Sequence, residues 1–448
     1  MSTLDSGWRT ASVIELQSEG VLLVEDGNHG EHRPRPDEFC EAGIAFIRAA
    51  DMDSGQVRFG SASRINEIAR RRITKGIGAP GDVLLSHKGT VGKVAFVPEG
   101  APRFVCSPQT TLWRSLDSNQ LDRRYLFAFL RSRGFHAQLA SRAGETDMAP
   151  YVSLTSQRGL LVTLPPVETQ RAIASVLGAL DDKIDLNRRM CQTLEEMARA
   201  LFKSWFVDFD PVRAKMEGRD PGLPKEIADL FPSRLIDSEL GPIPEGWRVG
   251  ALDAVMDVNP PRALKKAAAA PHLDMGNMPT HGHCACDITE RPYGSGARFV
   301  TGDTLLARIT PCLENGKTAF VDFLPEGVVG WGSTEYIVIR PKPPTPVAMG
   351  YYLARTTRFR EYAIQSMNGS SGRQRVPSEA VARYRLPIAP EAVTTGFGRM
   401  ADPLMRRVRQ ATNESTTLAA LRDTLLPKLI SGELRVSASL GSMQEVST

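Results

Sequence analysis

The sequence predicts an α+β chain built as a pseudo-two-fold internal repeat, with two globular lobes separated by two long antiparallel helices. Three observations predict it. Short strings recur at matching places in the two halves. A heptad seam recurs in the same register. Charge falls into alternating blocks along the chain.

The strings come first. Gly7-Trp8-Arg9 returns as Gly246-Trp247-Arg248, and Gly81-Asp82-Val83-Leu84-Leu85 returns as Gly302-Asp303-Thr304-Leu305-Leu306. Gly92-Lys93-Val94-Ala95-Phe96-Val97 returns as Gly316-Lys317-Thr318-Ala319-Phe320-Val321, an offset of 224 residues. Leu164-Pro165-Pro166 returns in weaker form as Leu386-Pro387-Ile388.

The helices follow from periodicity. Ile173, Leu177, Leu180, Ile184, Asn187, Cys191, Leu194, Ala198, Leu201 and Trp205 keep a strict 4-3 spacing, which is the seam of a helix made to pack on another helix. The same offset of 224 carries it onto Phe397, Ala401, Leu404, Val408, Ala411, Ser415, Leu418, Arg422, Leu425 and Leu429. Two independent features thus share one offset. The first seam corresponds to about 48 Å of helix at roughly 1.5 Å per residue. The second copy supplies its partner within the chain, and Asn187 is the expected register pin.

The charge pattern is consistent with two lobes. Residues 1–55 have 4 basic and 11 acidic side chains, and residues 56–142 have 15 and 5. Residues 207–246 have 5 and 9, and residues 247–388 have 17 and 12. Basic regions separated by an acidic connector suit two polyanion-facing lobes better than the small net charge of +4 suggests.

These observations divide the chain into a first lobe at 1–166, a spacer helix at 167–206, a Pro-rich charged linker at 207–246, a second lobe at 247–388, a second spacer helix at 389–436, stopped by Gly432, and a disordered tail at 437–448. No apolar run of 18 residues occurs and no signal peptide is evident. The six cysteines are scattered, which fits a reducing compartment. A cytoplasmic protein without membrane contact is expected.

At this point the chain resembles the specificity subunits of type I restriction–modification systems. The resemblance spans nearly the whole chain. It is carried by Leu164-Pro165-Pro166 through Gln170, Leu180-Asp181-Asp182-Lys183-Ile184, Leu186-Asn187 and Ala200-Leu201-Phe202-Lys203-Ser204-Trp205-Phe206. In the second copy it is carried by Leu421-Arg422-Asp423 and Leu425-Leu426-Pro427-Lys428-Leu429-Ile430-Ser431-Gly432. The second copy departs from the family's Pro-Pro-X-X-Glu-Gln lead-in, reading Pro387-Ile388-Ala389-Pro390-Glu391.

The resemblance implies two target-recognition domains, each reading half of an asymmetric bipartite site in double-stranded DNA. It implies helices that act as a ruler and dock two methyltransferase subunits, with restriction subunits completing the complex. It also implies that adenine-N6 methylation with S-adenosylmethionine, and ATP- and Mg-dependent cleavage, belong to those partners. This chain is expected to hold no cofactor and no catalytic residue. Insertion within Ala198–Phe206 is expected to change the spacer and leave the half-site sequences alone.

DNA-contact candidates come from side-chain chemistry. In the first lobe they are Arg70, Arg71, Arg72 and Lys75, a run suited to phosphates, and Lys88 and Thr90 in the loop after a strand-like run. In the second they are Arg308 and Thr310, taken as the equivalent of the Lys88 loop, and Arg373, Gln374 and Arg375, whose side chains suit base edges in the major groove. The polar segment Gly144–Met148 is the first-lobe counterpart of that last group. The helix-pair seam is read as Leu177, Leu180, Ile184, Asn187, Leu194, Leu201 and Trp205 against Leu404, Val408, Leu418, Leu425 and Leu429.

Several strings mimic catalytic motifs. Asn259-Pro260-Pro261-Arg262 begins like an amino-methyltransferase motif but has Arg262 where an aromatic must stack the base, and no pocket is expected beside it. Gly316-Lys317-Thr318 ends like a P-loop, but Pro311 stands where the first glycine belongs. His281, His283, Cys284 and Cys286 share one short segment with no second pair in view, so no metal site is expected. A protein-only coiled-coil adaptor and a single-chain restriction enzyme remain as alternatives. The basic lobes argue against the first. The second has no motif to support it.

Overall fold

The structure is a computed structural model and describes residues 7–28, 30–143, 150–370 and 372–436. Residues 437–448 and the whole of the Gly144–Met148 segment therefore lie outside the described residues. The chain forms two compact units: Met1–Ile184 with Thr417–Thr448, and Asp185–Thr416. Each unit holds one lobe and a part of both long helices.

The two lobes repeat one α+β fold, and the recurring strings are its joints. In the first, strand Arg9–Ser12 pairs antiparallel with Leu161–Leu164, the strand that leads into the first long helix. In the second, Arg248–Ala251 pairs in the same way with Arg385–Ile388. The Gly-Trp-Arg strings thus open a strand that closes each lobe on its own last strand. The first lobe's main sheet runs 22–26, 110–115, 83–86, 94–96, 56–57, 52–53, and the second lobe's runs 256–258, 336–341, 304–307, 318–320. A second sheet in each lobe contains one parallel pair: Phe104–Cys106 with Ile44–Ile47, and Ala269–Leu273 with Gly330–Gly332.

The central strand of each main sheet is buried on both faces. Strand period two sends Val83 and Leu85 into one core cluster and Leu84 into another. In the second lobe Leu306 and Leu305 divide in the same way. Ahead of these strands stands the Gly-Asp turn. Gly81 and Gly302 both adopt φ +85°, a conformation that disfavours any side chain. The next residue locks the turn. Asp82 accepts from Ala79 N–H at 2.8 Å and from Arg114 at 2.6 and 2.7 Å. Asp303 accepts from Val300 N–H at 2.8 Å and from Arg262 and Arg340 at 3.1 and 3.3 Å. The Gly-Lys string is a clamp as well. Lys93 Nζ donates to the Ala49 and Met52 carbonyls at 3.0 and 3.1 Å, and Lys317 Nζ to the Met275 carbonyl at 2.6 Å. A lysine bound to its own backbone carbonyls is not presented to a phosphate.

The first long helix spans Val167–Lys203 and widens into a π-turn over Ser204–Asp208, where Phe209 turns left-handed at φ +58° and ends it. Gln170 anchors its start. Its amide donates to the carbonyls of Gln120 and Pro165 at 2.9 and 2.8 Å, and its oxygen accepts from Asp122 N–H at 2.9 Å. The second long helix spans Glu391–Ile430 and ends before Gly432, at φ +76°. The position equivalent to Gln170 is Thr394, which reaches only the Glu391 carbonyl of its own first turn. The altered lead-in of the second copy therefore corresponds to a lost anchor.

Within each unit the helices pack antiparallel. In the first, Ile173, Ala174 and Leu177 share a core with Leu426 and Leu429. In the second, Ala198, Phe202 and Trp205 share a core with Phe397, Ala401 and Met405. Asn187, fully buried, donates to the Ala411 carbonyl at 3.4 Å and to Glu414 Oε2 at 2.8 Å. Leu177, Trp205, Val408 and Leu429 are buried, whereas Leu180, Ile184, Leu194, Leu201, Leu404, Leu418 and Leu425 are half-buried. Phe202 and Glu195, one step off the seam, are more buried than Leu201 and Leu194 because the second lobe covers that face.

The 207–246 stretch is packed rather than an open connector. It carries helices Asp210–Met216 and Lys225–Ala228 and a small hairpin, and Phe209, Val212, Phe231 and Ile243 join the second unit's core. The Trp205 ring meets Phe231 edge-on, with centroids 4.9 Å apart. Among the described residues no helix is long and apolar enough to cross a membrane.

Candidate nucleic-acid interface

In each lobe the loop after the central strand is tied by backbone to the segment before the lobe's last short helix. In the first, Gly89 N–H donates to the Pro150 carbonyl and Val152 N–H to the His87 carbonyl, both at 2.9 Å, and Lys88 bridges Tyr151. In the second, Val376 N–H donates to the Arg308 carbonyl at 2.9 Å, Thr310 N–H to the Gln374 carbonyl at 3.0 Å, and Ile309 bridges Arg375. The pairing brings the Arg308, Thr310 and Gln374 candidates into one strip.

It also corrects their equivalence. His87 occupies the place of Arg308, and Lys88 that of Ile309. The two cations are neighbours in the repeat rather than counterparts, because strand pairing sets the register and a one-residue slip sends side chains to opposite faces. His87 is buried, with Nδ1 3.0 Å from the Val152 carbonyl. Lys88, Gly89 and Thr90 are exposed, and Lys88 Nζ sits 5.7 Å from the centroid of the Tyr151 ring.

The other cations divide by partner. Arg72 grips Glu38 through two nitrogens at 2.8 and 2.5 Å, and the Arg72 guanidinium, with the Arg35 backbone amide, draws the Glu38 carboxyl down to about 2. Arg375 Nε lies 2.8 and 2.9 Å from the two Glu335 oxygens. These two arginines are engaged internally. Arg70 reaches the Ile73 carbonyl at 3.4 Å, while Arg71 and Lys75 are exposed on and just beyond the helix Glu67–Arg72, and Arg373 is exposed beside Gln374.

Beside Arg308 lies a cleft of ≈ 290 Å³ lined by Asn259, Pro260, Pro261, Arg298, Arg308 and Tyr336, among others. Arg308 Nε is buried without a hydrogen-bond partner. The Arg298 and Arg308 side chains on the lining make the cleft one that suits an anionic or carbonyl-bearing ligand. The cleft adjoins the Asn-Pro-Pro-Arg string, where sequence gave no reason to expect a pocket. The string itself is structural: Asn259, at φ +53°, accepts from Val338 N–H at 2.9 Å, and Arg262 pairs with Asp303.

Sequence reasoning missed one cluster. His283, Cys284 and Asp322 come together in the second unit, with Glu195 and Arg409 from the long helices against them. The signal in sequence was half present. His283 and Cys284 were visible, but Asp322 is brought to them by the strand Thr318–Phe320, whose edge pairs with Cys284.

This architecture, two copies of one α+β lobe joined by long paired helices, defines the class of chain to which the comparisons lead. Residues 33–196 match the family model described as type I restriction modification DNA specificity domain. The specificity subunit of the HindI type I restriction enzyme of Haemophilus influenzae is 32% identical over 235 residues, covering 51% of this chain and 48% of that protein. This chain thus matches about half the length of that relative. The MjaIX specificity subunit of Methanocaldococcus jannaschii is 22% identical over 416 residues, covering 89% of this chain and 88% of that one. The crystal structure of the type I restriction–modification S subunit from M. genitalium superposes with a TM-score of 0.55 at 13% identity, covering 96% of this chain and 98% of that one. Residues 33–196 thus match a type I restriction modification DNA specificity domain, and the relatives that the chain is similar to are type I restriction enzyme specificity subunits.

Proposed function

We propose that this chain reads a bipartite site in duplex DNA, one half-site per lobe, for a methyltransferase partner that it docks through its long helices. The observation that carries this reading is the repeat itself. One lobe fold occurs twice, with different side chains at the same strip, so two similar modules face two unlike sequences. Lys88 and Thr90 in one lobe, and Arg308, Thr310, Arg373 and Gln374 in the other, are the groups we assign to DNA, with Arg71 and Lys75 on phosphates. Arg72 and Arg375 hold those loops in shape.

On this reading the chemistry lies in partner subunits. Methyltransferase subunits bring S-adenosylmethionine to adenine, and restriction subunits bring ATP- and Mg-dependent cleavage, in the cytoplasm. The chain's own part is to bind and orient. The test is single-molecule sequencing of genomic DNA from cells expressing the chain with its cognate methyltransferase subunit. Methyladenine at an asymmetric site of two short half-sites with a constant gap is expected. A stable complex of the two proteins that adds no methylation overturns the proposal. Such a complex that also shows no salt-dependent DNA binding favours the protein-only adaptor.

A further inference from the structure

We propose that His283, Cys284 and Asp322 form a binding site for one divalent transition-metal ion of the zinc class. One imidazole nitrogen, one sulfur and one carboxylate oxygen all lie within 4.8 Å of one another. Zinc bonds of about 2.0–2.3 Å in a tetrahedral site set ligand atoms roughly 3.3–3.8 Å apart, so closure requires shifts on the order of 1 Å. The backbone already fixes the pair, since the His283 carbonyl accepts from Phe320 N–H at 3.1 Å, two residues before Asp322.

The surrounding groups are those a metal-bound histidine needs. Nε2 of His283 faces Asp322 Oδ2 at 3.1 Å, and the opposite nitrogen, Nδ1, lies 2.9 Å from Glu195 Oε2. A ligating imidazole characteristically gives its other N–H to a carboxylate, which fixes its tautomer and aim. Glu195 is buried and is itself held by the Tyr351 hydroxyl at 2.5 Å. The Thr412 hydroxyl, which donates to the Val408 carbonyl at 2.9 Å, lies 3.5 Å from Cys284 Sγ. Arg409 pairs with the other Asp322 oxygen, Oδ1, leaving Oδ2 directed at the site.

Loading a divalent ion displaces whatever protons the His283 nitrogen and the Cys284 sulfur carry, so binding is coupled to proton release. The mixed nitrogen, sulfur and oxygen donors suit zinc or cobalt and do not suit magnesium or calcium, which take oxygen alone. A bound ion would tie the 283–284 segment and Asp322 to each other, against the Glu195 and Thr412 faces of the long helices within this unit.

The full-length chain, stripped with a chelator and reduced, is titrated with Co²⁺ and followed in the near ultraviolet and visible. One equivalent is expected to give a thiolate-to-cobalt charge-transfer band with tetrahedral ligand-field absorption, bleached by Zn²⁺. Cys284→Ser abolishes the band. Glu195→Gln weakens Co²⁺ affinity about 10–100-fold, the usual effect of losing such a supporting group. Cys286→Ser and His281→Ala leave both unchanged. Absence of the band in the folded native chain overturns the site whatever the variants do, and so does a band that survives Cys284→Ser.

Discussion

Arg422 of the second long helix donates to Asp181 of the first at 2.8 Å, and Arg131 of the first lobe donates to the other oxygen of the same carboxylate at 2.7 Å. Asp181 is thus the point where lobe, first helix and second helix meet within one unit. Its side chain is 25% exposed and that of Arg422 16%, so neither charge is fully solvated. Removing Arg422 leaves the Asp181 carboxylate with Arg131 as its remaining partner and one of its oxygens without a donor.

Arg422→Ala is therefore expected to destabilise its unit by about 1–3 kcal/mol, read as a lower denaturant midpoint. The neighbouring pair is the control. Asp182 and Arg124 are 66% and 48% exposed, and Arg124→Ala should change stability by less than about 1 kcal/mol. Equal losses in the two variants would show that the Asp181 junction has no special weight.

Asn187 sits fully buried in the helix pair with its amide on the Ala411 carbonyl and Glu414. Ser415 donates to the same Ala411 carbonyl at 2.8 Å, so a polar seam residue from each helix converges on one acceptor. Such a group specifies register at some cost in stability. Asn187→Leu is expected to raise the thermal midpoint while adding self-associated species to the light-scattering profile. A variant that stays a single species and loses stability would remove the register role.

What sequence could show depended on how local the signal was. The helices were visible because their seam repeats every 3.5 residues over many turns, and the lobes were visible because Gly81-Asp82 and Gly302-Asp303 must be Gly-Asp to make the same locked turn. The strip was visible only in outline. Lys88 and Arg308 look equivalent by spacing, yet the bridges Lys88 to Tyr151 and Ile309 to Arg375 place them one residue apart. Arg72 and Arg375 read as DNA contacts because nothing local reveals Glu38 or Glu335, which lie 34 and 40 residues away. Asp322 escaped for the same reason, 39 residues from His283.

Glu38 sets an acid limit on the first lobe. Its carboxyl titrates near 4.5 when free and is drawn to about 2 in the folded chain, first by Arg72 and then by the Arg35 amide. A depressed carboxylate stabilises the fold above its unfolded pKa and loses that contribution as pH falls through the folded value. The first lobe should therefore weaken between about pH 4.5 and 2, and Glu38→Gln should flatten that limb in a circular-dichroism titration. An acid limb of the same slope in the variant would assign the transition to other carboxylates.

Arg308 is the side chain on which the second-lobe interface can be tested most directly. It borders the ≈ 290 Å³ cleft, its Nε is buried without a partner, and its backbone is pinned on both sides by Glu335 and Val376. Arg308→Gln therefore removes charge and a fork of donors, and among carboxylates it weakens the electrostatic pull on Glu379. If Arg308 meets a phosphate, affinity of the methyltransferase-bound chain for its site falls on every sequence alike, and the slope of log affinity against log salt drops by about one. If it meets a base edge, the loss of about 1–3 kcal/mol is confined to the cognate half-site and one position of the methylated motif relaxes. Arg375→Gln differs from both, because it strands Glu335 and should cost stability before it costs affinity. Unchanged affinity, salt slope and methylated motif in Arg308→Gln would remove the cleft from the interface.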